Sequence, residues 1–421
     1  MEAVDGTGIR SVAQGDYRGK TVLLRLDINC PVDPQTRTLR NANRIEKSMP
    51  TLRHLLKQGA KVAIIAHQGD SQDYKSLIPL EEHAQRLAAL LGSPVPYVDD
   101  PCGPEAQKAV RALGPGQAVL LGNLRYLTEE VTAFEFALSV EPREYLNCYL
   151  VRSLAPLVDA YVNDAFSAAH RNAPSMVAFQ ELLPTAAGFL LFDEMKALSA
   201  VLENPAQPAV YLLGGSRISD AYGMMGAVLA KGSAHSILTC GVTALVMLMA
   251  KGKSLGSRAE EYIRKRGFES FLPESERLLA AYGDTIKVPV DLCIEAQGRR
   301  KDIRIDELPV EADLFDIGDR TIALYAEEIA GAGTVFVNGP PGVYENPLFE
   351  KGTKELFLAL QNARGYTVVG GGDSVTAAAK YVDLQKINHV CTAGGAMVHY
   401  LSGQDTPLVT AMRKAFREKR F

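Results

Sequence analysis

Eight short runs rich in leucine and β-branched residues punctuate the chain: TVLLRLDI (21–28), KVAIIAH (61–67), AVLLGNL (118–124), AYVNDAF (160–166), AVYLLGG (209–215), SILTCG (236–241), TVFVNG (334–339) and YTVVGGG (366–372). Their apolar residues are consecutive rather than alternating, which predicts strands buried on both faces. Between them, segments such as EEHAQRLAALLG (81–92) and TKELFLALQNA (353–363) place apolar residues three and four apart, the pattern of amphipathic helices. Strands alternating with helices predict an α/β protein with doubly wound parallel sheets.

The length, 421 residues, exceeds what one hydrophobic core usually serves and favours two domains of about 200 residues. A helical pattern from about Ala186 to Leu202 ends in the Pro-containing stretch ENPAQP, the best boundary. The expected division is therefore 1–185, an interdomain helix at 186–203, a second domain at 204–402, and a tail at 403–421 returning to the first domain. Two domains joined by one helix predict a central cleft. The basic end of the tail, AMRKAFREKRF, reads as a solvated helix face.

Composition narrows the function. With 47% hydrophobic and 22% charged residues the chain is an ordinary globular protein. A net charge of −4 argues against a general nucleic-acid binder. The six cysteines, at 30, 102, 148, 240, 293 and 391, have no spacing that suits zinc or a disulfide framework and read as reduced thiols. No apolar stretch reaches the ~18 residues of a membrane span and the N-terminus is unlike a targeting peptide, which together predict a cytoplasmic address.

Candidate chemistry differs between the halves. In the second, three strand-to-helix turns are dense in glycine: Gly214-Gly215-Ser216, Gly370-Gly371-Gly372-Asp373-Ser374, and Gly394-Gly395-Ala396 after HVCTA. Lacking Cβ atoms, such turns let the backbone approach phosphate oxygens, and the free N–H groups of the following helix favour negative charge. They match neither the GxxxxGK[ST] nor the GxGxxG pattern. A fourth loop, Asn338-Gly339-Pro340-Pro341-Gly342-Val343-Tyr344-Glu345, ends in a carboxylate suited to ribose hydroxyls; a rigid loop with no ligand is the alternative.

In the first half, ionic residues sit on or after apolar strands: Arg25, Asp27 and Asn29 in RLDIN, His67, Arg125 in GNLRY, and His170-Arg171. Buried charges need partners or a ligand. Several arginines and histidines at strand ends describe a basic pocket for a small polyanion. A basic lobe facing a phosphate-binding lobe suggests phosphoryl transfer.

RLDINCPVD, NRIEKSMPTL, AIIAHQGD, LGNLRYLTEE, VNDAFSAAHRNAPS, LLGGSRISDA, VNGPPGVYE, GGGDS and CTAGGA follow one another in an order that resembles the phosphoglycerate kinase family, its archaeal branch most closely, along nearly the whole chain. The resemblance implies two Rossmann-like domains that close by hinge bending. It implies reversible phosphoryl transfer from 1,3-bisphosphoglycerate to ADP, giving 3-phosphoglycerate and ATP, with Mg2+. By the same resemblance Asp27 and Asn29 contact the glycerate end, Arg44 lies near the transferred phosphate, and His67, Arg125 and Arg171, with His170 beside them, hold the distal phosphate. Gly214, Gly215, Gly241, Asn338, Glu345, Gly370, Gly371, Gly372 and Ser374 bind the nucleotide. Asp373 holds the metal, and Gly394 and Gly395 cradle the migrating group. The implied partners are phosphoglycerate and an adenine nucleotide, with no nucleic acid and no membrane; monomer and homodimer stay open.

Three positions depart from the family pattern. Arg217 stands where a catalytic lysine is usual, keeping the charge but changing its shape. Ala221 replaces a second lysine. Asp70 stands where an arginine usually serves the distal phosphate, and at ~6 Å with an effective dielectric of ~20 each unit of that reversal is worth about 3 kcal/mol. Asp70 either faces solvent, is offset by Lys75, or alters substrate binding. These departures leave open a divergent kinase for another carboxylic acid and a nucleotide-binding regulator without turnover.

Overall fold

The computed structural model describes residues 7–70, 75–404 and 406–418. The chain divides into two compact units, one comprising Met1–Lys196 and Asp405–Phe421, the other Ala197–Gln404. Among the described residues no helix is long and apolar enough to cross a membrane.

The first unit is built on five parallel strands: β1 (Thr21–Arg25), β2 (Lys61–Ile65), β3 (Ala118–Leu120), β4 (Ala160–Asn163) and β5 (Thr185–Ala187). Their spatial order is β3-β2-β1-β4-β5, with Val22 opposite Val62 on one side and Ala160 on the other. The chain winds outward from β1 to β3 and then restarts at β4 on the far side of β1, so the crevice at the carboxyl ends of β1 and β4 is the switch point where ligands bind in such sheets. The consecutive apolar run of β1 is covered because helices lie on the sheet. The helix Asn43–Lys57 buries Ile45, Met49, Leu52 and Leu55 against it, at three- and four-residue spacing. Helix Glu81–Leu91 ends at Gly92, whose φ of 72° is the left-handed turn that glycine accepts without a steric cost.

The helix expected from about Ala186 begins instead at Phe189. Thr185–Ala187 pairs in parallel with Tyr161–Asn163; three small residues leave no strand pattern to read. Asp164 closes the gap, accepting from Leu191 N at 3.0 Å, and burial raises its pKa to about 6. The tail also differs from a solvated face. Helix Pro407–Arg417 buries Leu408, Met412 and Ala415, an i, i+4, i+7 stripe, in the first unit, and Leu408 N donates to Ala169 O at 3.2 Å.

The second unit carries six parallel strands: β6 (Ala209–Leu213), β7 (Ser236–Thr239), β8 (Ile286–Lys287), β12 (Thr334–Asn338), β13 (Tyr366–Gly370) and β14 (His389–Val390). They are ordered β14-β13-β12-β6-β7-β8, which puts the switch point between β6 and β12. A small antiparallel sheet of β9 (Asp291–Ala296), β10 (Arg299–Arg304) and β11 (Asp316–Ile317) interrupts the winding. It was not expected, because RRKDIR is too charged to read as a strand. Its hairpin turns through Gln297 (φ 53°) and Gly298 (φ 74°), both left-handed as the strand twist requires.

Candidate active site

At the end of β1 the backbone keeps Leu26 and Ile28 in the core and turns Asp27 and Asn29 toward the crevice, the period-two consequence of extended backbone. Arg25 is buried; its Nε donates to Ser175 Oγ at 3.2 Å and its Nη2 to His67 Nδ1 at 2.9 Å. A guanidinium only donates, so Nδ1 of His67 accepts and the neutral ring carries its proton on Nε2; Asn29 Nδ2, 3.4 Å away, is itself a donor because Asn29 Oδ1 accepts from Gly69 N at 3.0 Å, so that contact is not a hydrogen bond. Burial, then the charges of Arg25, Arg125, Arg171 and Arg44, hold His67 well below the ordinary histidine range. Four guanidiniums therefore act on one uncharged imidazole, Arg25 by direct contact.

Each cation is anchored. Arg44 Nη1 pairs with Asp27 and donates to Ser167 Oγ at 3.1 Å. Arg125 donates to Gly69 O at 3.2 Å and to the Glu130 carbonyl; burial lowers its pKa to about 10, which leaves it charged at neutral pH. The Glu130 carboxylate is fully enclosed and accepts from Ser175 N at 2.6 Å and Ser175 Oγ at 2.8 Å. Burial pushes its pKa up, opposed by Arg25. Arg171 meets Glu135 at 3.2 Å and Thr132 Oγ1 at 2.7 Å. His170 stands half-buried beside it. Asp70 is half-buried and accepts from Thr132 Oγ1 at 3.1 Å, the hydroxyl that also contacts Arg171, and its charge acts on Arg125.

Two supports were invisible in the sequence. Asn123 Oδ1 accepts from both Gln68 N (3.1 Å) and Arg125 N (3.0 Å), tying the ends of β2 and β3 together. Glu130 and Ser175, 45 residues apart, link Arg125 to Arg25. Both were hidden because their partners are distant in the chain.

In the second unit the loops after β6, β12, β13 and β14 enclose a cavity of about 370 Å³ walled by Gly214, Gly215, Arg217, Asn338, Gly339, Gly371, Gly372, Asp373, Ser374, Gly394 and Gly395. Glycine is required where the β6 and β12 loops cross. Gly339 has φ 89°, and a Cβ there would lie 2.0 Å from Gly214 O. The loops are stitched by Gly214 N to Asn338 O and Gly215 N to Pro340 O, both 2.9 Å, and by Gly339 N to Ser374 Oγ at 2.6 Å. The helices Ile218–Ala230, Gly372–Tyr381 and Gly394–Leu401 begin at this cavity, and their free N–H groups and dipoles favour an anion. Asp220 and His399 also line it and had not been singled out.

A second cavity of about 400 Å³ adjoins the first through Gly215, Ser216 and Asp373. Its walls include Val242, Leu245, Tyr262, Leu314, Phe315 and Val343, with Gly241 and Glu345. Tyr262, Phe315 and Val343 are three of the nine large apolar side chains exposed among the described residues, and their gathering around one slot marks a binding surface. Val343 belongs to the loop the sequence had already marked, whereas Tyr262 and Phe315, from two other segments, were missed. Gly370 lines neither cavity; it is the buried last residue of β13, where a Cβ would meet Met397 Sδ at 2.1 Å. Arg217 is exposed at the first cavity, whereas the Ala221 methyl is buried in the unit's interior.

Residues 12–404 match the phosphoglycerate kinase family profile. The phosphoglycerate kinase of Methanothermus fervidus is 39% identical over 400 residues, 95% of this chain and 96% of the relative, and that of Thermococcus kodakarensis is 39% identical over 407 residues, 95% and 96%. The crystal structure of phosphoglycerate kinase from Pyrococcus horikoshii OT3 superposes with a TM-score of 0.81 at 33% identity, covering 98% of this chain and 100% of that one. The two parallel-sheet units are thus the Rossmann-like domains of that fold, and the chain belongs to the phosphoglycerate kinase family, phosphotransferases with a carboxyl group as acceptor.

Proposed function

We propose that the chain transfers a phosphoryl group reversibly between 1,3-bisphosphoglycerate and ADP, binding the acid in the first unit and the nucleotide in the second. The observation that carries this reading is the apolar slot joined to a glycine-walled cavity through Gly215, Ser216 and Asp373, the outline of a nucleoside continued by its phosphates. The base lies between Tyr262, Phe315 and Val343, the ribose meets Glu345, and the phosphates meet the helix starts at Gly372 and Gly394. Phosphoryl transfer needs positioning and charge neutralisation more than acid–base chemistry. Arg217 supplies the fixed positive charge at the nucleotide phosphates.

Mg2+ fits Asp373, a hard oxygen donor at the junction of both cavities, and would neutralise the nucleotide's phosphate charge when bound. On the acid side, Asp27 and Asn29 orient the glycerate, Arg44 neutralises the reacting end, and Arg125 and Arg171 hold the distal phosphate, with His67 kept neutral as a donor from Nε2. The comparisons do not favour a kinase for a different acid. The test is a coupled assay of ATP formation from 1,3-bisphosphoglycerate and ADP with Mg2+. Turnover that chelation of the metal abolishes is expected; its absence in the intact chain contradicts the reading.

A further inference from the structure

Asp70 joins Asp27, Glu130 and Glu135 as a further acid in the arginine cluster, and it has a specific place there. Its Oδ2 accepts from Thr132 Oγ1 at 3.1 Å, and the same hydroxyl oxygen accepts from Arg171 Nη1 at 2.7 Å. A hydroxyl has one proton. With that proton directed to Asp70, only lone pairs face Arg171, so the contact with Nη1 is fixed in sense as well as in place. Nη1 also donates to Glu135 Oε2 at 3.2 Å, and its two protons are then both engaged. The edge formed by Nε and Nη2 is the fork that a guanidinium offers to a phosphate in two parallel hydrogen bonds.

Resting on the reading of the first unit as the phosphoglycerate site, we propose that Asp70 is a positioning residue: through Thr132 it sets the orientation of Arg171, and thereby the edge that Arg171 presents to the distal phosphate. The acid acts as the far end of a hydrogen-bonded chain and not as a charge opposing the ligand. Its charge also acts on Arg125, where it favours the protonated guanidinium against the larger opposing effect of burial. Glu135 holds the same Nη1 from its other side, and Ser175 and Glu130 anchor the neighbouring Arg25 separately.

The test is calorimetric titration of 3-phosphoglycerate, and separately of ADP, into the intact chain and its variants. Asp70→Ala and the near-isosteric Thr132→Val are each expected to weaken 3-phosphoglycerate binding about fivefold. Asp70→Asn, whose amide oxygen still accepts from Thr132, is expected to stay within about twofold of the wild type, and the double variant Asp70→Ala/Thr132→Val to be no weaker than either single one, because both break the same chain. ADP affinity is expected to be unchanged throughout. Tighter binding by both Asp70→Ala and Asp70→Asn would show an opposing charge and overturn the inference. Additive losses, unchanged affinity in Asp70→Ala, or an equal loss for ADP would overturn it too. Wild-type binding of 3-phosphoglycerate without turnover would overturn the kinase reading alone, whereas no binding at all would overturn both.

Discussion

His67 illustrates how single residues carry this site. Its folded pKa is held well below the unfolded value of about 6.5, by burial first and by four arginines after it. Below that pH the unfolded chain takes up a proton that the folded chain refuses, so this residue's contribution to stability is full above about pH 6.5 and is lost as pH falls toward the folded value. Replacing it with glutamine, which does not titrate, is expected to flatten the fall of the urea midpoint between pH 7 and pH 5; an unchanged slope would mean that the ring takes up its proton in the folded protein as readily as in the unfolded one. The sequence marked Arg25, Asp27, Asn29, His67 and Arg125 as a group because a charge at the end of an apolar strand is costly unless a partner or a ligand meets it. It was silent on Glu130, Ser175 and Asn123, whose role is to hold those residues through contacts made across 45 and 55 positions of chain.

At the scale of elements, the glycine turns are places where two backbones pass too closely for a side chain. Gly339→Ala would set a methyl 2.0 Å from Gly214 O on a backbone with φ 89°. The change is expected to cost about 2–4 kcal/mol of stability, read by denaturant unfolding, and to weaken ADP at least about tenfold. A variant as stable and as tight as the wild type would mean that the β6 and β12 loops do not cross as described. These turns were legible because diglycine after an apolar run has a specific backbone use. Elements lacking a pattern were not: β5 is three small residues, and β10 is mostly charged and half-exposed at its edge. The tail helix was misjudged in character since its basic residues conceal a stripe formed by Leu408, Met412 and Ala415.

The whole molecule repeats one solution twice. Each unit has a parallel sheet whose winding reverses beside its first strand, β1 in one and β6 in the other, and each presents its polar residues at the carboxyl ends nearest that reversal. The two sites differ in chemistry, fixed cations in the first and backbone N–H groups with an apolar slot in the second, so the two substrates are separable by mutation. Steady-state kinetics of Arg171→Ala and Phe315→Ala, with both substrates varied, test this assignment most directly. Arg171→Ala is expected to raise the KM for 3-phosphoglycerate about tenfold or more and to leave that for ATP within about twofold, and Phe315→Ala to do the converse. Either variant raising both KM values equally, or Arg171→Ala leaving the 3-phosphoglycerate KM untouched, would contradict the account.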